Sequence, residues 1–194
     1  MSRALIVIDV QESFRQRAAA WRTTNNPDIA DDVNTLVRAA RADGDLVVWV
    51  LHSEPGTGGV FDPASGHVRL MPELDYRDGE PLLVKTSINA FTTTNLAQLL
   101  TQRGVRELRV CGIRAEQCVE TTTRVGYDLG YEMTYVVDAV ASFATAPPDA
   151  PDDLADPRTK QAAEIVEHTA FILAARGFAT VTTVAELAGT LTGS

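Results

Sequence analysis

Three polar residues of different chemistry lie at, or just beyond, the ends of predicted strands: Asp9, Lys85 and Cys118. Because ligands of parallel sheets bind at the carboxyl ends of the strands, we expect this carboxylate, ammonium and thiol to converge. Only a thiolate is a strong nucleophile, and an ordinary thiol has a pKa of ~8.5. A nearby lysine and a helix starting near Gln117 are expected to lower this pKa towards neutrality. The carboxylate can take the thiol proton and later return it to a leaving amine.

Each of these residue types also has an ordinary structural role. A strand-terminal aspartate is often a turn or cap residue, a lysine after a strand is commonly solvated, and a free cysteine is usually a small buried hydrophobe. Cys111, inside the apolar run LRVCGI, fits that last description and is predicted to lie in the core. Cys118 differs because its neighbours are Glu116, Gln117 and Glu120. Its polar setting favours a functional thiol.

Strand-like segments rich in β-branched residues alternate with segments of helical periodicity. Strands are predicted at 3–10, 45–53, 81–85, 105–113 and 131–140, with a last strand and a short helix in 178–191. Helices are predicted at 27–44, 92–104, 117–130 and 158–177, and the Pro- and Asp-rich segment 144–157 is predicted to be a surface loop. This alternation predicts an α/β fold, in which a mostly parallel six-stranded, Rossmann-type sheet lies between two helical layers. We expect residues 1–194 to form a single domain.

Charge, hydrophobic runs and cysteine count argue against several functional classes. The 194 residues carry a net charge of −9, with an isoelectric point near 4.8. An acidic chain repels phosphate backbones, so nucleic-acid binding is not expected, and no basic amphipathic stretch suggests a membrane surface. The N-terminal run ALIVIDV is too short for a signal peptide or a membrane span. Two cysteines without a CxxC spacing indicate no disulfide framework, and we expect a cytoplasmic protein.

Four stretches resemble the isochorismatase-like cysteine hydrolases in order and spacing: LIVIDVQESF, LLVKTSINAFTTTNLAQLL, VRELRVCGIRAEQCVETTTR and GYEMTYVVDAVASF. That superfamily includes nicotinamidases, N-carbamoylsarcosine amidohydrolase and isochorismatases. The resemblance implies a parallel six-stranded sheet flanked by helices, a small-molecule substrate, no cofactor, and a homo-oligomer, either a dimer or a tetramer.

The resemblance also implies roles for individual residues. The family's catalytic triad falls on Asp9, Lys85 and Cys118. A cis peptide bond is implied between Ile113 and Arg114, with the N–H groups of Arg114 and Cys118 forming an oxyanion hole. A substrate pocket is expected at the side chains of Gln11, Phe14, His52 and Phe91. For Gln11, a role in holding Asp9 and a role as a polar helix-start residue both stay open, and the two aromatic residues have core packing as their alternative.

Departures from the family pattern narrow the chemistry. The loop after the second strand offers His52, Glu54, Asp62 and His67 without the Asp-x-His spacing of the nicotinamidase metal site, so no metal is expected. Isochorismatases that cleave a vinyl ether lack the nucleophilic cysteine, so Cys118 favours hydrolysis of an amide-type C–N bond. The alternatives are an ether hydrolase and a non-catalytic binding protein on the same fold. The composition of loops 12–24, 53–80 and 142–157 favours a neutral or cationic small molecule.

Overall fold

A computed structural model describes residues 2–151 and 153–189 of the chain. Its centre is a six-stranded sheet formed by β1 (Ser2–Ile8), β2 (Leu46–His52), β3 (Leu82–Lys85), β4 (Val105–Ile113), β5 (Glu132–Ala141) and β6 (Thr180–Thr182). The strand order is β3-β2-β1-β4-β5-β6, and each neighbouring pair is parallel. Crossover connections join consecutive strands, as parallel pairing requires; each contains a helix except the one from β2 to β3, a long loop with a 3-10 turn. The predicted α/β fold class is confirmed.

Seven α-helices accompany the sheet in the described part of the chain. They are α1 (Glu12–Arg15), α2 (Ala18–Trp21), α3 (Ile29–Ala42), α4 (Leu96–Gln102), α5 (Glu120–Asp128), α6 (Ala162–Ala175) and α7 (Val184–Gly189). A 3-10 turn covers Pro63–Ser65, and a π-helical turn covers Ala115–Val119. In the same ranges, no helix is both long and apolar enough to cross a membrane.

The sheet is buried on both faces, which explains why its central strands are almost continuously apolar. Alternate residues of β1 enter opposite cores: Leu5 and Val7 pack with α3 and α7, whereas Ile6 and Ile8 pack with α4 and α6. The α3 stripe in the first core consists of Ile29, Ala30, Val33, Leu36, Val37 and Ala40. These two packed faces make the predicted three-layer arrangement.

Element boundaries differ from the sequence-based expectations mainly at helix ends. The predicted helix 158–177 begins only at Ala162, because Gln161 and Glu164 form a capping box in which the Gln161 N–H donates to Glu164 Oε2 at 2.8 Å. The segment before it is closed by an antiparallel bridge between Thr145 and Lys160. The short helices α1 and α2 were not predicted, since four residues give too little periodicity to detect. Residues 190 and 191 of the predicted last helix lie outside the described residues.

Candidate active site

Four adjacent strands bring polar side chains to the carboxyl edge of the sheet. In spatial order, Lys85 ends β3, His52 ends β2, Asp9 follows β1, and Cys118 lies in the π-helical turn that follows β4. His52 and Lys85 are register partners on neighbouring strands. The structure therefore brings together the three residues that the sequence placed at strand ends, and adds His52 between them.

Asp9 leaves the sheet in an unusual backbone conformation. Its φ angle is +55°, and it is the only described non-glycine residue with a positive φ. Aspartate is among the few residue types that adopt this left-handed conformation readily. The Asp9 N–H still donates to the Val50 carbonyl at 2.8 Å, and its side chain is fully buried. The turn thus directs a carboxylate into the interior instead of into solvent.

Lys85 connects the members of the cluster. Its ammonium Nζ, which is fully buried, lies 2.8 Å from Asp9 Oδ2 and 3.4 Å from Cys118 Sγ. The same group lies 3.2 Å from the Ser87 carbonyl and 3.3 Å from His52 Nδ1. A buried ammonium needs opposite charge and acceptors to offset its desolvation, and these four neighbours supply them.

His52 and Gln11 fix the end of β2 beside this cluster. His52 Nε2 lies 3.2 Å from Glu54 Oε1, so the tautomer that carries its proton on Nε2 satisfies both this contact and the one from Lys85 to Nδ1. The Gln11 amide accepts from the His52 N–H at 2.7 Å and donates to the His52 carbonyl at 3.0 Å. Gln11 therefore holds the β2 backbone through its side chain, and its backbone N–H contacts the Asp9 carbonyl at 2.9 Å.

The turn that carries Cys118 depends on a close backbone approach. At Gly112, φ is +128°, and an added Cβ would lie 1.9 Å from the carbonyl oxygen of Ile8, so only glycine fits. The peptide bond between Ile113 and Arg114 is cis, as the family resemblance implied. The Arg114 carbonyl then accepts the N–H groups of Gln117 and Val119, the residues on either side of Cys118.

Two further contacts support the Cys118 turn. The hydroxyl of Thr122 donates to the Cys118 carbonyl at 2.6 Å and accepts from the Ala90 N–H at 3.1 Å. On the other side, Ser142 donates to Glu116 Oε2 at 2.7 Å. The turn is thereby tied to the loop after β3 and to the end of β5.

The electrostatics of the cluster correct the expectation of a thiol ionised near neutrality. Burial and, next, the charge of Asp9 raise the pKa of Cys118 to about 12, with Lys85 opposing the shift. Burial also raises the pKa of Asp9, and attraction to Lys85 offsets only part of this effect. The thiol therefore stays protonated beside Asp9.

The cluster opens into a cavity of about 270 Å³. Its lining residues are Asp9, Phe14, Arg17, His52, Glu54, Phe61, Ile88, Arg114, Gln117 and Cys118. Cys118 is only 6% exposed, so a substrate must enter this cavity to reach the thiol. Phe14 and His52 lie where the resemblance placed them, in the pocket wall.

Two residues expected in the pocket lie elsewhere. Gln11 is fully buried behind His52, and Phe91 stacks on Tyr131 with ring centroids 5.9 Å apart. Phe91 also packs in the core beneath β5, next to Met133. An aromatic residue close to a motif in sequence is often plain core, and this is the case for Phe91.

Sequence reasoning missed several wall residues. Arg17 and Phe61 come from segments without periodicity, and the Arg17 guanidinium carbon lies 4.8 Å from the Phe61 ring centroid. Ile88, 47% exposed, lies at the mouth on the loop after β3. No spacing in the sequence marks these positions. Arg17 and Phe61 fall within the predicted pocket loops, whereas Ile88 does not.

Asp62, one of the polar residues considered for a metal, has other partners. Asp62 accepts the N–H groups of Gly58 at 2.8 Å and Ala64 at 3.0 Å, and so caps the 3-10 turn. The carbonyl of His67 accepts the hydroxyl of Ser13. Within residues 2–151 and 153–189, no group of three His, Cys, Asp or Glu side chains is placed to share a metal ion.

A larger concavity of about 560 Å³ lies between α5 and α6. It is lined by Glu116, Glu120, Arg124, Lys160, Glu164, Ile165, His168, Thr169 and Ile172. Its charges are mixed, and it shares no lining residue with the cavity at Cys118. Size alone would favour this concavity, but the Cys118 thiol and the Asp9 carboxylate line the smaller cavity.

A family model described as the isochorismatase domain matches residues 3–186. The chain belongs to the isochorismatase family of hydrolases. It is 33% identical over 163 residues to a streptothricin hydrolase of Streptomyces noursei, covering 84% of this chain and 58% of that protein. It is 28% identical to the ureidoacrylate amidohydrolase RutB of Klebsiella pneumoniae, covering 70% of this chain and 72% of RutB.

A solved member of the isochorismatase family has the same fold. The crystal structure of an isochorismatase from Pseudomonas putida superposes with a TM-score of 0.80 at 31% sequence identity, covering 95% of this chain and 89% of that one. The chain thus spans most of the length of this structural neighbour, but less than two thirds of streptothricin hydrolase.

Proposed function

We propose that this isochorismatase-family chain hydrolyses a C–N bond of a small amide-type substrate through a thioester on Cys118. The observation that carries the proposal is the placement of Cys118 Sγ in the wall of a cavity, 3.4 Å from a fully buried Lys85 ammonium that lies 2.8 Å from Asp9. The amidohydrolase RutB among its relatives supports a C–N bond as the target.

The first half of the reaction follows from the raised pKa of the thiol. Cys118 Sγ attacks the substrate carbonyl carbon while its proton moves to Asp9, because a free thiolate is too costly in this buried site. The N–H groups of Arg114 and Cys118 are proposed to hold the oxyanion. As the tetrahedral intermediate collapses, Asp9 gives the proton to the leaving nitrogen, the C–N bond breaks, and an acyl-thioester remains.

The second half restores the enzyme. Asp9, ionised again, takes a proton from a water molecule that attacks the thioester carbonyl. The C–S bond breaks, the acid leaves, and the proton returns to Cys118. Lys85 stays positively charged throughout, so it offsets the negative charge as that charge moves between Asp9, sulfur and the oxyanion.

The test compares two cysteines of the same chain on a panel of small amides and ureas. Cys118→Ala is expected to reduce turnover by about 10⁴-fold or more while the unfolding midpoint changes little. Cys111, fully buried in the core, is the matched control, and Cys111→Ala is expected to keep turnover. Incubation of the wild-type chain with a slow amide should add the acyl mass to Cys118.

Two outcomes of this experiment point to the alternatives. A Cys118→Ala variant that still releases product would contradict the thioester route and favour hydrolysis of an ether without covalent catalysis. A wild-type chain that turns over no amide or urea and forms no acyl adduct on Cys118 would favour a binding protein.

A further inference from the structure

Two guanidinium groups line the cavity that contains Cys118, and they lie close enough for the charge of Arg17 to act on Arg114. Arg17 precedes α2, and Arg114 follows the cis peptide bond at the end of β4. Each guanidinium carbon lies 4.8 Å from the centroid of an aromatic ring, Phe61 for Arg17 and Phe143 for Arg114. Stacking on a ring fixes the plane of a guanidinium while leaving its N–H edge available.

Neither guanidinium is neutralised by a close carboxylate. Among the described residues, Arg17 has no carboxylate within 4.0 Å and no side-chain hydrogen bond. The carboxylate next to Arg114 is Glu116, 4.0 Å away, and Glu116 already accepts the Ser142 hydroxyl at 2.7 Å. Two arginines that share a cavity without a tightly bound anion repel each other.

The remaining charges of the cavity compensate these arginines only in part. Asp9 faces Lys85 at 2.8 Å, whereas Glu54, which contacts the imidazole of His52 at 3.2 Å, is one carboxylate in the lining against two guanidinium groups. Burial lowers the pKa of Arg114; Glu116 opposes this shift, and the positive charge of Arg17 adds to it. Outside the Asp9–Lys85 pair, the cavity lining therefore has more cationic than anionic groups, although the chain as a whole has a net charge of −9.

We propose that Arg17 and Arg114 bind a carboxylate of the substrate, so that the substrates are small acids carrying an amide or ureido group. This inference rests on the proposed function and names its substrate class. A planar carboxylate matches the forked N–H edge of arginine, and charge-assisted bonds of this kind are roughly twice as strong as neutral ones. The composition of the pocket loops favoured a neutral or cationic molecule, whereas the cavity wall favours an anion. The volume of about 270 Å³ restricts the acid to a short chain.

The test uses pairs of amides that differ only in charge. Malonamate, succinamate and glutaramate are each compared with the neutral methyl ketone in which a methyl group replaces the carboxylate O⁻. For the acid of best-fitting length, the wild-type chain should show kcat/KM about 100-fold or more above that of its neutral partner. Arg17→Gln and Arg114→Gln should each reduce this ratio by about 10-fold or more.

Arg15→Gln is the matched control. Arg15 lies two residues before Arg17 and pairs with Glu73 at 2.8 Å, and it does not line the cavity. Its substitution removes the same charge from the same segment and should leave the ratio unchanged. Equal kcat/KM values for acids and neutral partners, or a ratio insensitive to both cavity arginines, would overturn the inference.

Binding measured by calorimetry distinguishes a failure of this inference from a failure of the proposed function. If the wild-type chain hydrolyses none of the six compounds, the three acids are titrated into the wild-type chain and into its Arg17→Gln and Arg114→Gln variants. Binding that weakens about 10-fold or more in those variants would support the carboxylate site while contradicting amide hydrolysis. Binding that is absent, or that both variants leave unchanged, would overturn the carboxylate site itself.

Discussion

Two clusters of charged side chains lie along β2, one near Trp49 and the other at its carboxyl end, near Asp9. They differ in how the charges of their acidic groups are balanced. In the cluster near Trp49, Arg41 lies 2.8 Å from Glu80 and 2.6 Å from Asp75. Trp49 adds a hydrogen bond of 2.7 Å from its indole Nε1 to Glu80. Burial opposes ionisation of Glu80, but the bonds from Arg41, Trp49 and Arg77 together outweigh it and hold the pKa of Glu80 below its ordinary value.

The cluster at Asp9 has one cation for two acidic groups. Lys85 is the only cation that contacts both Asp9 and Cys118 among the described residues, and burial raises the pKa of both acidic groups. In the Glu80 cluster, the carboxylate is fixed in its charged form. In the Asp9 cluster, burial favours the protonated form of both the carboxylate and the thiol, which is the condition for moving a proton between them during a reaction.

The largest expected difference between the two clusters is the loss of turnover when a carboxylate is replaced by an amide. Asp9→Asn should reduce kcat/KM by about 10²- to 10⁴-fold, because an amide can neither accept the thiol proton nor return it to the leaving nitrogen. Glu80→Gln, which removes a carboxylate of the other cluster, should retain turnover. Steady-state rates on the best amide substrate measure both. Near wild-type activity in Asp9→Asn would show that the proton goes elsewhere.

The second effect is the coupling between charges, measured by urea unfolding of single and double variants. Asp9→Asn and Lys85→Met should each cost about 3–5 kcal/mol of unfolding free energy, because each leaves a buried charge unpaired. The double variant should cost clearly less than the sum of the two. The matched cycle of Glu80→Gln and Arg41→Met, whose members are partly exposed, should give a coupling of about 1 kcal/mol or less. Additive costs at Asp9 and Lys85 would contradict a buried ion pair.

The reactive residues could be placed from the sequence because strand ends are easy to locate. Continuous apolar runs end at Asp9 and Lys85, and a third ends just before the turn of Cys118, so a parallel sheet must bring them to one edge. These inferences need only local pattern and chain direction.

The electrostatics and the cavity wall could not be predicted in the same way. The pKa of Cys118 depends on burial, and its polar neighbours in sequence suggested an accessible turn, whereas the residue is buried. Arg17 and Arg114 are 97 positions apart, and nothing local shows that their guanidinium groups face one cavity. Phe91 was placed in the pocket by its closeness to a motif, but its ring packs on Tyr131.

The smallest effect is the pH dependence of the Glu80 cluster. Since the pKa of Glu80 is lower in the folded chain, its contribution is present above the ordinary glutamate pKa and is lost as pH falls through the folded value. Glu80→Gln should therefore cost about 1–2 kcal/mol at neutral pH, and this difference should shrink in acid. Urea unfolding at several pH values measures it. A cost that is constant with pH would show that packing, not charge, is lost.

The central claim is that Cys118 is a protonated thiol that can give its proton to Asp9. The rate of iodoacetamide alkylation, measured against pH, tests this claim most directly. In a Cys111→Ala background, Cys118 should react more slowly at pH 8 than a free thiol and show no midpoint below about pH 9. Adding Asp9→Asn should raise the rate at pH 8 by about 10-fold or more, even as hydrolysis is lost, because the repelling carboxylate is gone while Lys85 remains. A thiol that titrates near neutrality, with a midpoint that Asp9→Asn does not move, would contradict the account.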